Sequence, residues 1–485
     1  MSRLFLSDPR KFIGQVCERL NISALRRPAS NEPAHNPAER LFATGQYSNA
    51  VTYARGKQRR RIQGELDLLT TSGLAGSTIT RTRPSTSATS SIRSLHFLTN
   101  SLPHTQSGYS LRSHAALSSI KDEGIGVHAA TRIGYPVTVG KLPRTPIDRI
   151  DGIAYERILP AVFPADLVAR HEKSATMLAQ IGRRERATLL HTTTDFRNGL
   201  VVLAAAQELD VPWVYEARGE MEKTWLSRFP ADRQDEASSS EFYRLAREQE
   251  ARVAKSAHGV VALSEVSADH LVGRGVDRSR IAIVPNAVDD AHLTRNVDQA
   301  RLREELGLPG GLLVGAITAV VGYEGLDTLI RSVHHLPTDA HILVVGDGTA
   351  LPELKALAQS LKVEDRVIFA GRQPSSDIWR WYGALDVFAV PRHDTAVART
   401  VTPIKPLNAL ALGVPVVTSD LPALREVTGN ISTYFHAGDP ADLARAILEA
   451  RGSSPALGRD FAATRTWSAN GRRYRELYEQ ILAGN

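Results

Sequence analysis

Thr402-Pro403-Ile404-Lys405-Pro406-Leu407 sets a lysine between two prolines where an apolar helical run, Leu407 to Leu412, begins. Proline is tolerated at a helix start, because the first N–H groups there have no intrahelical partner. Those N–H groups and the helix dipole favour an anion, and Lys405 adds a full charge. The chemistry on offer is phosphate binding; the plainer alternative is an ordinary helix–strand unit of an α/β domain. Two arginines raise the same question. Arg392 ends the strand-like run that feeds this stretch, and Arg218 follows Val211 to Glu216. At the mouth of a parallel sheet, arginine clamps phosphate or carboxylate in a two-pronged geometry. Arg218 has a rival role, a structural ion pair with Glu216, Glu220 or Glu222. Gly108, at the handover from a first strand to a first helix, sits where open parallel sheets bind ligands, or is a plain tight turn.

The elements that must position these residues read as strands alternating with helices. Ser94 to Leu98 is a short strand and Ser110 to Lys121 a helix; Gly124 to Thr131 is a turn and strand. A helix near residues 164–187 and a strand to His191 follow. The polar loop Thr192 to Gly199, with Asp195, Arg197 and Asn198, opens a helix to Leu209. Residues 227–240 read as a mobile polar segment before a long helix into Ala257. Gly259 to Ser264 and Ile281 to Asp289 are further strands, and the domain boundary is placed after them. The second half repeats the pattern: strands at Leu312 to Ile317, His341 to Gly348, Val367 to Arg372 and Asp386 to Arg392 alternate with helices. Phe461 to Leu482 is a single amphipathic helix with Trp467, Tyr474 and Tyr478 for packing. This alternation implies a doubly wound parallel sheet in each half.

At 485 residues, one core is not expected. A hydrophobic fraction of 42% suffices for globular cores, and the net charge of +7 suits acidic small molecules, anionic lipid or nucleic acid without choosing between them. The single cysteine, Cys17, excludes an internal disulfide framework and a multi-cysteine metal site, and fits a reducing cytoplasm. No run approaches a membrane span and no charged-then-apolar leader opens the sequence, so a cytoplasmic location is expected, with peripheral contact at the inner face of the plasma membrane as an option. Residues 1–70 read as a helical, basic extension and 71–91 as a flexible Ser/Thr-rich linker. Ala38 to Ala50 is similar to one tetratricopeptide-type helix–turn–helix, which cannot bury its own face. Arg55, Lys57, Arg59, Arg60 and Arg61 form either a solvated helix face or a surface for an acidic partner or anionic lipid.

Taken together and in order, several segments resemble the retaining glycosyltransferases of the GT-B fold, in the large bacterial group 1 (family 4) type. They include Phe196-Arg197-Asn198-Gly199, Ala262-Leu263-Ser264, Val284-Pro285-Asn286-Ala287, Tyr323-Glu324-Gly325-Leu326, Val345-Gly346-Asp347-Gly348 and Thr402-Pro403-Ile404-Lys405-Pro406-Leu407. The Tyr-Glu-Gly-Leu and Thr-Pro-x-Lys-Pro-Leu motifs point to one subfamily. The resemblance covers residues 92–482. It implies two Rossmann-like domains facing across a cleft: an acceptor domain at 92–290, a nucleotide-sugar domain at 291–460, and a helix at 461–485 crossing back to the first domain. It implies a sugar transferred with retention from a nucleotide-diphosphate sugar to a hydroxyl of a glycan or lipid-linked acceptor, without metal or cofactor, in surface polysaccharide or glycolipid synthesis.

By the same resemblance, Arg218, Lys405 and Arg392 supply the positive charge for the leaving diphosphate. Ile404, Lys405, Pro406 and Leu407 match the phosphate-cradling positions; Pro406 lacks an N–H, so the donors are Lys405 and Leu407, and Asn408 falls at the donor's ribose position. Gly108, Ser264, Asn286, Tyr323, Glu324, Gly325, Gly346, Arg372 and Glu426 fall at donor-binding positions, with helix capping the alternative for Glu426. His191, Asp195, Arg197 and Asn198 fall on the acceptor side; His191 is equally a packed core residue, and Thr193 stands where many relatives have histidine. Two family glutamates are replaced by Thr400 and Asn408. Asparagine still offers a carbonyl oxygen to ribose, but the bond is no longer charge-assisted, a loss of about 1–2 kcal/mol. A weakened or inactive glycosyltransferase-like scaffold is therefore the second reading. A nicotinamide oxidoreductase lacks its Gly-x-Gly-x-x-Gly turn, a nucleotide-sugar epimerase shares the fold, and nucleic-acid binding rests on net charge alone.

Overall fold

Apolar strands flanked by amphipathic helices build a sheet in each half, and both faces of each sheet are covered. The computed structural model describes residues 36–80, 91–374 and 376–484, without the side chain of Ala231. Cys17 and the first half of the basic extension lie outside the described residues. Two units emerge: the chain up to Ala262 with His270–Ala282 and the stretch from Gly471 onward, and Leu263–Asp269 with Ile283–Asn470.

The first unit holds β1 (Arg93–Leu98), β2 (Gly126–Thr131), β3 (Ile147–Ile150), β4 (Ile153–Arg157), β5 (Leu189–Thr193), β6 (Trp213–Ala217), β7 (Gly259–Ala262) and β8 (Ile281–Ile283). Their spatial order is β3-β4-β2-β1-β5-β6-β7-β8. β1 pairs in parallel with β2 and β5, the pairs β2–β4, β5–β6 and β6–β7 are also parallel, and β3 runs antiparallel against β4. The second unit holds β9 (Leu313–Ile317), β10 (His341–Val345), β11 (Val367–Gly371), β12 (Val387–Val390), β13 (Val416–Ser419) and β14 (Thr433–Phe435), in the order β11-β10-β9-β12-β13-β14. Every pairing in this sheet is parallel. Val314, Ile342, Val344, Val387 and Val417 face one core, while Leu313, Leu343, Val345, Phe388 and Val416 face the other. That period of two with apolar residues on both sides is what a helix-covered parallel sheet requires. The expected pair of Rossmann-like, doubly wound sheets is borne out.

Several expectations change. Residues 227–240 are not an open polar segment: Ala231–Ser238 is a helix, and Glu241–Ser256 follows it directly with Ser240 as its cap. The final helix is interrupted; Pro455–Ala463 and Trp467–Leu482 are separate, and Tyr474 and Tyr478 in the second are wholly buried. The hairpin of β3 and β4 carries too weak an alternation to read from sequence.

The described part of the extension is three helices, Pro37–Ala43, Tyr47–Tyr53 and Gly56–Thr70. The first is capped by Asn36, whose side chain accepts from Ala38 N at 3.0 Å, with Pro37 at the first helical position. The face that one helix pair cannot bury is covered by Ile62 of the third helix, and Tyr47 stacks on Phe242 at 5.2 Å. Gln249 donates to Leu68 O and Thr71 O, both at 3.1 Å. Beyond it, Leu74 is buried and Gln207 brackets Thr78, so the described part of the stretch read as a linker is fastened down. Arg55, Lys57, Arg59 and Arg60 face solvent, and Arg61 pairs with Glu39 at 2.7 Å. Among the described residues, no helix is long and apolar enough to cross a membrane.

Candidate functional site

In the second unit, the loops after β9, β10 and β12 meet at the C-terminal edge of the sheet. Two glycines allow the approach. Gly325 has φ +69°, and a Cβ there would fall 1.8 Å from Pro391 O; Gly346 has φ +143°, and a Cβ would fall 1.8 Å from Thr318 O. Only glycine tolerates both the conformation and the space. Glu324, in the turn before Gly325, is thereby brought under Arg392 from the loop after β12. Arg392 Nη2 lies 2.9 Å from Glu324 Oε1, and its Nη1 donates to Val401 O at 3.0 Å. Lys405 Nζ donates to Thr318 Oγ1 and sits 3.5 Å from the same Glu324 oxygen. Burial raises the Glu324 carboxyl, but Arg392 and Lys405 outweigh it and hold it below its usual value. Burial also lowers the Lys405 ammonium, against the pull of Glu324.

Ile404 caps the helix Lys405–Ala411 without a side-chain bond, and the first backbone bond inside that helix is Asn408 N to Ile404 O at 3.2 Å. The helix start is therefore open, as the sequence pattern requires, and Leu407 is buried beneath it. Buried atoms near by lack partners among the described residues: Arg392 Nε, Thr402 Oγ1 and Thr418 Oγ1. An unsatisfied buried donor costs about 1–3 kcal/mol, so such a cluster marks a place where a ligand or water completes the bonding.

Other donor-side residues take framing roles. Asn286 Nδ2 donates to Thr402 O at 2.7 Å, a bond within the second unit that braces the motif. Tyr323 is half-buried, its ring 5.7 Å from the Arg392 guanidinium. Ser264 Oγ and Glu426 cap the helix that starts at Glu265: Ser267 N donates to Ser264 at 3.0 Å, and Glu265 N and Val266 N donate to Glu426 at 2.6 and 3.1 Å. The carboxylate of Glu426 is thus engaged as a cap. Arg372 is exposed beyond the edge strand β11. Asn408 shares a hydrogen bond with the buried Tyr382 hydroxyl, and Thr400 Oγ1 bonds back to Ala396 O at 3.1 Å. Gly108 belongs to the first unit, where it opens the helix Gly108–Asp122 behind a Ser107–Ser110 capping box.

In the first unit, Arg218 is not open. Its Nε and Nη2 grip Glu216 at 3.0 and 3.2 Å, and Nη1 donates to Ser113 Oγ at 2.7 Å. Arg112 adds a bond to Glu216 at 3.1 Å and Tyr474 another at 3.1 Å. Burial raises the Glu216 carboxyl, but Arg218 and Arg112 hold it well below its usual value. Of the two roles read for Arg218, the structure displays the ion pair with Glu216. His191 is 1% exposed, bonded through Nδ1 to Tyr478 OH at 2.6 Å and stacked on His96 at 4.7 Å. Burial lowers its imidazole despite Glu216, so it is neutral and sits in the core. Asp195, Arg197 and Asn198 do converge, lining a cavity of about 440 Å³. Asp195 caps the helix Phe196–Leu209 and lies 3.2 Å from Arg197 Nη1, while Asn198 Nδ2 donates to Thr99 Oγ1 at 2.8 Å. Thr318 and Arg112 were not singled out in the sequence; the Gly-Asp-Gly turn could have led to Thr318, since Gly346 packs against its carbonyl.

Residues 107–287 match the family described as glycosyl transferase 4-like domain, and residues 309–451 match glycosyl transferases group 1, together about two thirds of the chain. The chain belongs to the group 1 glycosyltransferase family. A D-inositol 3-phosphate glycosyltransferase of Xylanimonas cellulosilytica is 33% identical over 37% of this chain and 44% of its own length. An alpha-monoglucosyldiacylglycerol synthase of Streptococcus pneumoniae is 25% identical over 63% of this chain and 69% of its own. The chain spans about half the length of most curated relatives it matches. Among solved structures, Anabaena HepE in complex with UDP superposes with a TM-score of 0.62 at 17% identity, over 80% of this chain and 100% of that one. Sucrose-phosphate synthase of Thermosynechococcus elongatus gives 0.62 at 17% identity, over 81% and 100%. At such identity these two speak for the fold, and both are consistent with the paired Rossmann-like sheets.

Proposed function

We propose that the chain transfers a sugar, with retention and without a metal ion, from a nucleotide-diphosphate sugar to a hydroxyl of a glycan or lipid-linked acceptor. The observation that carries this reading is the open helix start at Lys405, set beside buried polar atoms that lack partners. The diphosphate lies on the N–H groups of Lys405 and Leu407, with the Lys405 ammonium against its oxygens. Thr318 and Glu324, the latter fixed by Arg392, hold that ammonium in place. In the reaction, the bond from the anomeric carbon to the diphosphate oxygen breaks, and its electron pair leaves with the nucleotide. The acceptor oxygen bonds the same face of that carbon, and its proton passes to the leaving phosphate. The main task of the protein is to stabilise charge on the leaving group, and preorganised N–H groups and a cation suit it. UDP is the first nucleotide to test, because a structural relative was solved with it. The polyol-phosphate and diacylglycerol acceptors named for relatives make a polar or lipid-linked hydroxyl the acceptor class. A cytoplasmic enzyme, with peripheral contact at a membrane, fits such acceptors.

Calorimetric titration with UDP, GDP and ADP tests the reading. A diphosphate that binds and is lost in Lys405→Ala is expected; no heat with any of them sinks it. A second reading, a weakened or regulatory member, is favoured by Asn408, which turns to Tyr382, and by Thr400, which turns to its own helix. If Asn408→Glu gains no transfer activity and the wild-type chain has none, the scaffold reading stands instead.

A further inference from the structure

The cavity beside Asp195 lies wholly within the first unit, and the N-terminal extension forms part of its wall. Gly64 of the helix Gly56–Thr70 packs on Leu167, close enough that an added Cβ would fall 2.9 Å from the Leu167 Cβ. One residue on, Glu65 reaches in and pairs with Arg197 at 2.5 Å. Phe97, Phe163, Leu167 and Val201 give the cavity an apolar side. Two hydroxyls of lining residues have no hydrogen-bond partner among the described residues, Ser174 Oγ and Thr138 Oγ1. Ser174 is only 2% exposed, so its hydroxyl has left water without replacing it.

The charges are unequal. Arg197 is matched by Asp195 and Glu65. Arg170 is spent on the backbone at Pro164 O, 2.6 Å away, and lies over the Phe163 ring. His171 is lowered by burial and is neutral. Arg132 lines the same cavity, and its guanidinium makes no hydrogen bond or ion pair among the described residues. Three arginines against two carboxylates leave one positive charge, and it rests on Arg132, which Asp195 attracts without forming an ion pair.

We propose that this cavity binds a small hydroxylated acid, a sugar or polyol bearing one phosphate or carboxylate. The acid group pairs with Arg132 in two-pronged fashion, and ligand hydroxyls complete Ser174 and Thr138. The extension is part of this site: Glu65 fixes Arg197, so the guanidinium stands as a wall rather than competing for the acid. That the ligand is the sugar acceptor rests on the transfer reading above; that it binds here does not.

The test is calorimetry on the full chain with glucose 6-phosphate, glucuronate, glucose and inorganic phosphate. One of the two acids should bind at least tenfold more tightly than glucose and than inorganic phosphate, and the stronger acid names the charged group. Arg132→Ala, an exposed position, should remove the preference over glucose with no change in melting temperature. Glu65→Gln removes a negative charge from the cavity wall and frees Arg197, so the same acid should bind more tightly while UDP binding stays as it was; a weaker acid in this variant would overturn the charge argument. No acid preference, or a preference that survives Arg132→Ala, overturns the proposal; inorganic phosphate binding as tightly as the sugar phosphate overturns it too. UDP is titrated on the same samples. UDP binding without acid binding overturns this site and leaves the transfer reading; acid binding without UDP does the reverse.

Discussion

Each unit buries a carboxylate beneath two cations at the C-terminal edge of its sheet, and the two clusters are built to opposite ends. In the first unit Glu216 is enclosed by Arg218, Arg112 and Tyr474, with Arg218 also bonded to Ser113. In the second unit Glu324 holds Arg392 and Lys405, yet Lys405 keeps a quarter of its side chain exposed, and Arg392 Nε has no partner among the described residues. A closed cluster specifies packing; an open one with a cation at its lip is what the proposed nucleotide site requires. From sequence, Arg218, Arg392 and Lys405 are equivalent candidates, and only the company each keeps separates them.

The largest effect should follow from breaking the closed cluster. Glu216→Ala leaves two arginines buried and unpaired, a loss of about 3–5 kcal/mol. Urea melts should show it as a lower midpoint at an unchanged slope. A midpoint within error of wild type would mean that the cluster is hydrated and not structural.

Lys405→Ala should do the converse. Glu324 keeps Arg392, so the melt moves little, but a charge-assisted bond worth about 1.5–3 kcal/mol to the diphosphate is lost. The dissociation constant for the nucleotide should rise by roughly 10- to 100-fold. If stability falls and affinity does not, Lys405 belongs with Arg218 as a structural cation.

How much of this was legible differs by element. The paired sheets were, because Leu313 to Ile317 and His341 to Val345 are continuous apolar runs and glycine turns follow them. The turn at Lys405 was, because proline and lysine act locally. The Glu216 cluster was not: Arg112 lies 104 residues away and Tyr474 258 away, and no local pattern reports such pairings. Ala231–Ser238 was missed because it carries no apolar residue larger than alanine, so no apolar stripe announces a helix. The docking of the extension was missed for a related reason. Its partners, Phe242 and Gln249, lie on a helix whose own pattern already looked complete.

A third carboxyl sharpens the contrast by making no ion pair among the described residues, with Arg274 acting on it only at longer range. Glu250 is buried, accepts Phe196 N at 2.7 Å, bonds the Tyr215 hydroxyl, and is pushed up to about 8, first by burial, with Asp195 and Glu222 adding to it. The folded chain therefore holds a proton that the unfolded chain gives up near the ordinary carboxylate range. Stability should fall as pH rises from about 5 to about 8, by at least the roughly 1.4 kcal/mol that one pKa unit represents. Glu216 and Glu324, held below their usual values, act in the opposite sense: their contribution is present above the ordinary range and is lost as pH falls through their folded values. Glu250→Gln copies the protonated acid and should flatten the descent towards pH 8 while leaving the acid limb intact. A descent that persists in the variant would place its source elsewhere.

The smallest effect tests how complete the open cluster is. Asn408 begins the first full turn after Lys405 and turns its side chain to Tyr382. Glutamate is one methylene longer and charged, so Asn408→Glu cannot keep that bond without placing a carboxylate against a buried phenol. It should instead turn outward, where the hydroxyls of a bound ribose lie in the proposed reading. The gain expected is about 1 kcal/mol, a five- to tenfold tighter nucleotide, with transfer rising in step. If affinity for UDP rises but affinity for deoxyuridine diphosphate rises equally, the added charge acts only at long range and the ribose contact is absent. If affinity falls, the Asn408–Tyr382 bond is what shapes the turn, and this site has been rebuilt around asparagine rather than impaired by it.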